Sequence, residues 1–242
     1  MAVSSFRNSG LSVTTSVPNA VISGAPTGSY TDAGISYNYF TFTASGTATV
    51  TTAGFADVLV VGAGGGTWNG RAWGDYVCGG GGAGGMFTGT VFLSAATHTV
   101  TVGAGTTNGN GNGSRLGIYA AAGGGAGSQD GSGSRGFNGG SGGGRCGSVN
   151  SVAGTFGSGL PGQGNDGANT NPGGGGGAGG ASTSATGGAG LASSITGSAV
   201  TYATGGTANT AFVSAANTGN GASSVNTATA GNSGIVVVRV RI

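Results

Sequence analysis

Apolar and polar positions alternate with period two at several places along the chain. In YNYFTFTA, residues 37–44, Phe40, Phe42 and Ala44 share one face while Tyr37, Tyr39, Thr41 and Thr43 share the other. TATVTT at 47–52 repeats the pattern with Ala48 and Val50. Such alternation predicts strands with one buried face, and Ser45-Gly46 between the two predicts a hairpin. MFTGTVFL at 86–93 and HTVTVG at 98–103 predict a second hairpin, joined by SAAT. DVLVVG at 57–62 is apolar on successive positions, which predicts a strand buried on both faces. The closing GIVVVRVRI, 234–242, sets Val236, Val238 and Val240 on one face and Val237, Arg239 and Arg241 on the other. About six strands therefore form a small sandwich-like base.

Between the strands the pattern disappears. Four excursions, roughly 63–85, 103–127, 127–190 and 190–233, almost lack bulky side chains and hold blocks such as CGGGGAGG and GGGGGAGG. Glycine makes up 61 of the 242 residues, several times its usual share of about 7%. It loses the most backbone entropy on ordering, so an ordered glycine block must gain free energy from backbone contacts. Extended helices with three residues per turn point their N–H and C=O groups outward. Packed side by side, such helices satisfy one another, provided no side chain holds them apart. Collagen is excluded because its period is not sustained. Two readings stay open for the excursions: flexible Gly/Ser-like loops, or a bundle of polyglycine II-type helices. The predicted fold class is all-β, a small β-sandwich base with long glycine-rich loops bundled as polyglycine II-type helices. Residues 1–36, with isolated apolar positions and Pro18 and Pro26, read as an N-terminal arm that docks on a neighbour or on the body, ahead of a domain at 37–242.

Composition narrows the function classes. Every base is Arg and every acid is Asp, the net charge is +2, and strong helix formers other than Ala are scarce. No basic patch points to nucleic acid. No run approaches the ~20 apolar residues of a membrane span, and MAVSSFRNSGLSV has no apolar signal region. Two Trp, six Tyr and nine Phe argue against a disordered chain. DVLVVGAGGG resembles a dinucleotide-binding turn only superficially: Thr67 stands where the third glycine should be, and no helical pattern follows to hold a phosphate.

The candidate chemistry is sparse. His98 is the single histidine, so no multi-histidine metal site is possible, and it reads as a strand or turn residue. Asp32, Asp57, Asp75, Asp130 and Asp166 are scattered without catalytic or calcium-loop spacing. The expectation is no enzyme, no cofactor and no metal. Cys78 and Cys146 read as small buried thiols, with a disulfide left open. GTWNGRAWGDYVCG is different, concentrating Trp68, Arg71, Trp73, Asp75 and Tyr76 within nine residues. Aromatic faces beside hydrogen-bonding groups suit sugar rings; the alternative is that these aromatics anchor the loop or fill a subunit contact.

DVLVVGAGGG, CGGGGAGGMFTGTVFL, HTVTVGAG, GGGGGAGG and the terminal GIVVVRVRI, taken in order, resemble the glycine-rich domain of tailed-phage virion proteins. The glycine blocks also resemble those of the polyglycine-helix adhesins at the tips of T-even-type long tail fibres. The likeness covers roughly residues 40–242. It implies a non-enzymatic structural protein on the virion surface, made in the host cytoplasm. The implied partners are copies of itself in a homotrimer, other virion proteins through the N-terminal arm, and a host surface glycan or outer-membrane protein. A tail-fibre or receptor-binding adhesin module is the first expectation; a capsid decoration, cement or head-fibre protein is the alternative.

Overall fold

The computed structural model describes residues 18–68, 78–129, 135–146, 155–210, 215–224 and 227–242. Among them the regular structure is all-β, with every strand pairing antiparallel. The strands are β1 (Val21–Ile22), β2 (Gly28–Asp32), β3 (Ile35–Phe42), β4 (Gly46–Thr52), β5 (Gly54–Val61) and β6 (Met86–Leu93). They continue as β7 (Thr97–Thr101), β8 (Ser114–Leu116), β9 (Tyr119–Ala121), β10 (Leu191–Ser193), β11 (Val200–Tyr202) and β12 (Ile235–Arg241). One five-stranded sheet runs β2-β3-β12-β5-β6, a second runs β1-β4-β7-β8-β9, and β10-β11 form a separate ribbon.

Side chains from both sheets meet in one core. Phe40, Val58, Val60, Val91, Val236 and Val238 come from the first sheet, and Val50, Val100, Leu116 and Ala121 from the second. The strand predicted to be buried on both faces is so, because its other face is covered by something else. Leu59 and Val61 on β5, with Ile235 and Val237 on β12, pack against Ala83, Met86, Ile195, Tyr202 and Ala203. Farther along that outer face the sheet turns polar. Arg239 donates from Nε (3.1 Å) and Nη2 (2.6 Å) to Asp57 Oδ2, and from Nη1 to the Tyr30 hydroxyl (2.6 Å). Its guanidinium also lies 4.6 Å from the centre of the Tyr37 ring. Burial works against its charge, but Asp57 and Tyr30 outweigh it and leave the Arg239 pKa above its ordinary value.

Neither predicted hairpin forms. β3 pairs with β2 and β12, whereas β4 pairs with β1 and β7. β6 likewise pairs with β5, and β7 with β4 and β8. Each short link carries the chain from one sheet to the other. Alternation dictates only that one face be buried, and a face across the sandwich serves as well as a partner in the same sheet. The place beside β3 goes to β12, whose register sets Val238 between Phe40 and Val58. Residues 18–36, part of the expected arm, are built into the body: β2 pairs with β3, β1 with β4, and Pro18 accepts a hydrogen bond from the amide of Phe55.

The glycine segments form an ordered lattice of backbone hydrogen bonds. The amides of Gly62 and Gly65 donate to the carbonyls of Gly85 and Gly82, those of Ala63 and Gly66 to Asn112 and Gly109, and those of Gly64 and Thr67 to Asn232 and Thr229. Every third amide thus addresses the same neighbour, the signature of a three-residue-per-turn helix. Residues 80–85 repeat the rule: Gly80 and Ala83 donate to Gly173 and Gly176, Gly81 and Gly84 to Ala222 and Gly219, Gly82 and Gly85 to Gly125 and Ala122. Counting the amides that donate back to it, this segment is bonded to six others, around residues 62–65, 122–125, 141–144, 173–176, 206 and 219–222. Neighbours run both parallel and antiparallel, since a lattice made of backbone alone does not depend on chain direction. Its spacing excludes side chains: a methyl group at Gly81 would run into the Gly65 carbonyl, and one at Gly84 into that of Gly62. Cys78 and Cys146 are buried among these segments.

Candidate ligand-binding cleft at the end of the glycine bundle

Two lattice segments leave the sandwich side by side. Residues 62–68 continue from β5 and residues 122–129 from β9, in parallel, with Gly124 donating to Ala63 and Gly127 to Gly66. At about 3.1 Å per residue, their ends lie roughly 22 and 25 Å beyond the last residues of β5 and β9. There the packing that demands glycine stops, and large side chains return as Trp68 and Gln129. A third segment joins them, because Phe137 donates its amide to Ala126 and Asn110 donates its side-chain amide to the carbonyl of Asn138. A fourth closes the site: Gly136 donates to Thr155, Gly157 to Gly143, and the Asn138 side-chain oxygen accepts from the amide of Ser158.

The result is a cleft of about 500 Å³ whose lining includes Trp68, Gln129, Arg135, Phe137, Asn138 and Phe156. That volume lies within the range of small-ligand sites. Phe137 is 47% exposed, a large apolar surface for an aromatic ring, while Trp68 and Phe156 are half-buried. Arg135 is fixed by a 2.8 Å hydrogen bond from Nε to the Thr155 hydroxyl, and no carboxylate among the described residues pairs with its guanidinium. Trp68 Nε1 is buried and meets no hydrogen-bond acceptor among the described residues, a state that buried indoles usually avoid.

A family model for the glycine-rich domain matches residues 41–241, from within β3 to the last residue of β12. The chain belongs to the glycine-rich domain family. No individual curated protein matches it. The match takes in β4 to β12 and the segments that build the lattice, but not β1, β2 or most of β3, so it concerns the scaffold on which the cleft is mounted.

Of the side chains singled out in the tryptophan-rich loop, Trp68 lines this cleft, while Arg71, Trp73, Asp75 and Tyr76 lie outside the described residues. His98 sits on β7, where its Nε2 is 2.9 Å from the Ser94 carbonyl, as a strand histidine would. Asp57 holds Arg239, and Asp166 accepts the amide of Gly159 at 2.8 Å. Sequence reasoning missed Gln129, Arg135, Phe137, Asn138 and Phe156. A signal for three of them was present: GSRGFNGG at 133–140 sets Arg, Phe and Asn inside a glycine block, and a lattice with no room for side chains must expel them to its surface or ends.

Proposed function

We propose that this chain is a non-enzymatic structural protein of a tailed-phage virion surface, working as a tail-fibre or receptor-binding adhesin module. The observation that carries the reading is the placement of the aromatic and polar cleft: it sits at the end of a rigid backbone lattice, away from the sheets. A lattice bonded in several directions resists local opening, which suits a particle exposed to proteases outside the cell. It also presents a surface without using mobile side chains as supports. In this reading residues 1–36 and the adjoining sheets face the particle, the assembly is a homotrimer, and the cleft faces a host surface glycan or outer-membrane protein.

Counting the chain per purified particle by quantitative mass spectrometry tests the assignment. A few tens of copies or fewer, as expected of an adhesin, would then be followed by adsorption of the purified protein to host envelopes, with Trp68→Ala and Phe137→Ala expected to reduce it. Hundreds of copies per particle would replace the adhesin assignment with capsid decoration, and absence from particles would end the virion reading.

A further inference from the structure

Resting on the receptor-binding reading, we infer that the cleft at the end of the bundle takes a carboxylated sugar. Trp68 can only donate, and its buried Nε1–H meets no acceptor among the described residues. Arg135 can only donate, with five N–H groups of which Nε is engaged by Thr155. Asn138 already uses one lone pair of its side-chain oxygen on the amide of Ser158 and has two N–H donors to offer. Gln129, exposed at the rim, has both donors and an acceptor to give. Among the described lining side chains, donors therefore outnumber acceptors. Their complement must bring acceptors.

Charge and shape narrow the complement. Arg135 is the one charged side chain among the described lining residues. The guanidinium fork matches a planar carboxylate better than any neutral partner. The rings of Trp68, Phe137 and Phe156 supply apolar faces of the kind that pack on the C–H face of a pyranose. A peptide fits less well, since it carries an amide donor at nearly every residue and the described lining side chains offer few acceptors. A sugar carboxylate supplies two acceptor oxygens and a negative charge, with ring and hydroxyl oxygens for the remaining donors.

The cleft between β5, β6 and the ribbon shows the contrast. It too contains an arginine, Arg239, but Asp57 neutralises that charge, and Thr90 donates to the second carboxylate oxygen at 2.5 Å. Its charged groups are satisfied within the protein, whereas Arg135 of the bundle-end cleft meets no carboxylate among the described residues.

The test is binding of the full chain to an array pairing glycans that contain uronic or sialic acid with their neutral or methyl-esterified counterparts. Binding is expected to follow the carboxylate. Arg135→Gln should weaken it at least about tenfold, Arg135→Lys should restore it in part, and Phe137→Ala should weaken binding without altering the acid preference. Circular dichroism identifies any variant that loses the fold. Equal binding of the neutral counterparts, or undiminished binding by folded Arg135→Gln, overturns the assignment. A chain that adsorbs to host envelopes but binds no array glycan removes the sugar and leaves the adhesin reading standing. A chain that does neither removes both.

Discussion

The sandwich and the glycine bundle are buried by opposite means. In the sandwich, Val58, Val60, Leu93, Leu116 and Val236 remove apolar side chains from water, each contributing about 1.5–3 kcal/mol. In the bundle there is almost nothing to remove. Its cohesion comes from amide–carbonyl bonds in several directions, each worth only about 0.5–1.5 kcal/mol net, and it must offset the large entropy loss of ordering glycine. A side chain is therefore an asset in one half and an obstruction in the other. The two meet along Leu59, Val61, Ile235 and Val237, where the outer face of a sheet packs on Ala83 and its neighbours. Here β5 and β12 need apolar residues on both faces.

This contrast is broken most severely at the centre of the lattice. Gly81→Ala would press a methyl group on the Gly65 carbonyl and the Ala222 amide, and should destabilise by about 3 kcal/mol or more; a denaturant midpoint matching the parent would sink the lattice account. Truncation at the junction comes next. Leu59→Ala, fully buried between the sheet and the bundle, should cost about 2–5 kcal/mol, measured by the same unfolding curve. Removing the charge of Asp57 leaves Arg239 half-buried without its partner. Asp57→Asn should lose about 1–2 kcal/mol, lessened by partial exposure, and a double-mutant cycle with Arg239→Gln should show positive coupling.

A smaller effect should appear in alkali. Burial raises the pKa of Tyr202 above its ordinary value. The folded state therefore holds this proton more tightly than the unfolded chain. That contribution is complete below about pH 10 and fades as pH rises through the raised value. Unfolding measured from pH 8 to 11.5 should show a steeper alkaline decline in the parent than in Tyr202→Phe; identical slopes would exclude the contribution. The smallest change is the control for the first. Gly46 lies in β4 with nothing near its missing side chain, so Gly46→Ala should stay within about 0.5 kcal/mol of the parent. A large loss there would mean that glycine content, rather than lattice position, governs tolerance.

Much of the fold was legible from the chain. The core strands β3, β4, β5, β6, β7 and β12 were marked by period two or by continuous apolar runs, and the double burial of β5 followed from DVLVV. The short strands β8, β9, β10 and β11 were not, because three residues carry too little periodicity to stand out from a glycine-rich background. The candidate cleft was legible in one residue, Trp68. Arg135, Phe137 and Phe156 belong to segments that reach Trp68 only through lattice contacts, such as that between Phe137 and Ala126.

By itself, then, the sequence determined the composition of the two halves: alternating β-branched and aromatic residues allow a sheet, and runs of glycine allow backbones to touch. It did not determine who pairs with whom. The links after β3 and β6 allow a hairpin or a crossing between sheets with equal ease, and only the competition for places beside β12 and β5 decided for crossing. Nor do glycine blocks carry register, since one glycine presents the same surface as the next. Register comes from the ends, where the strands that enter and leave the bundle fix each segment's height and the first large side chains must find room. That is why the cleft lies where the lattice stops, and why its partners emerged only when the chain was folded.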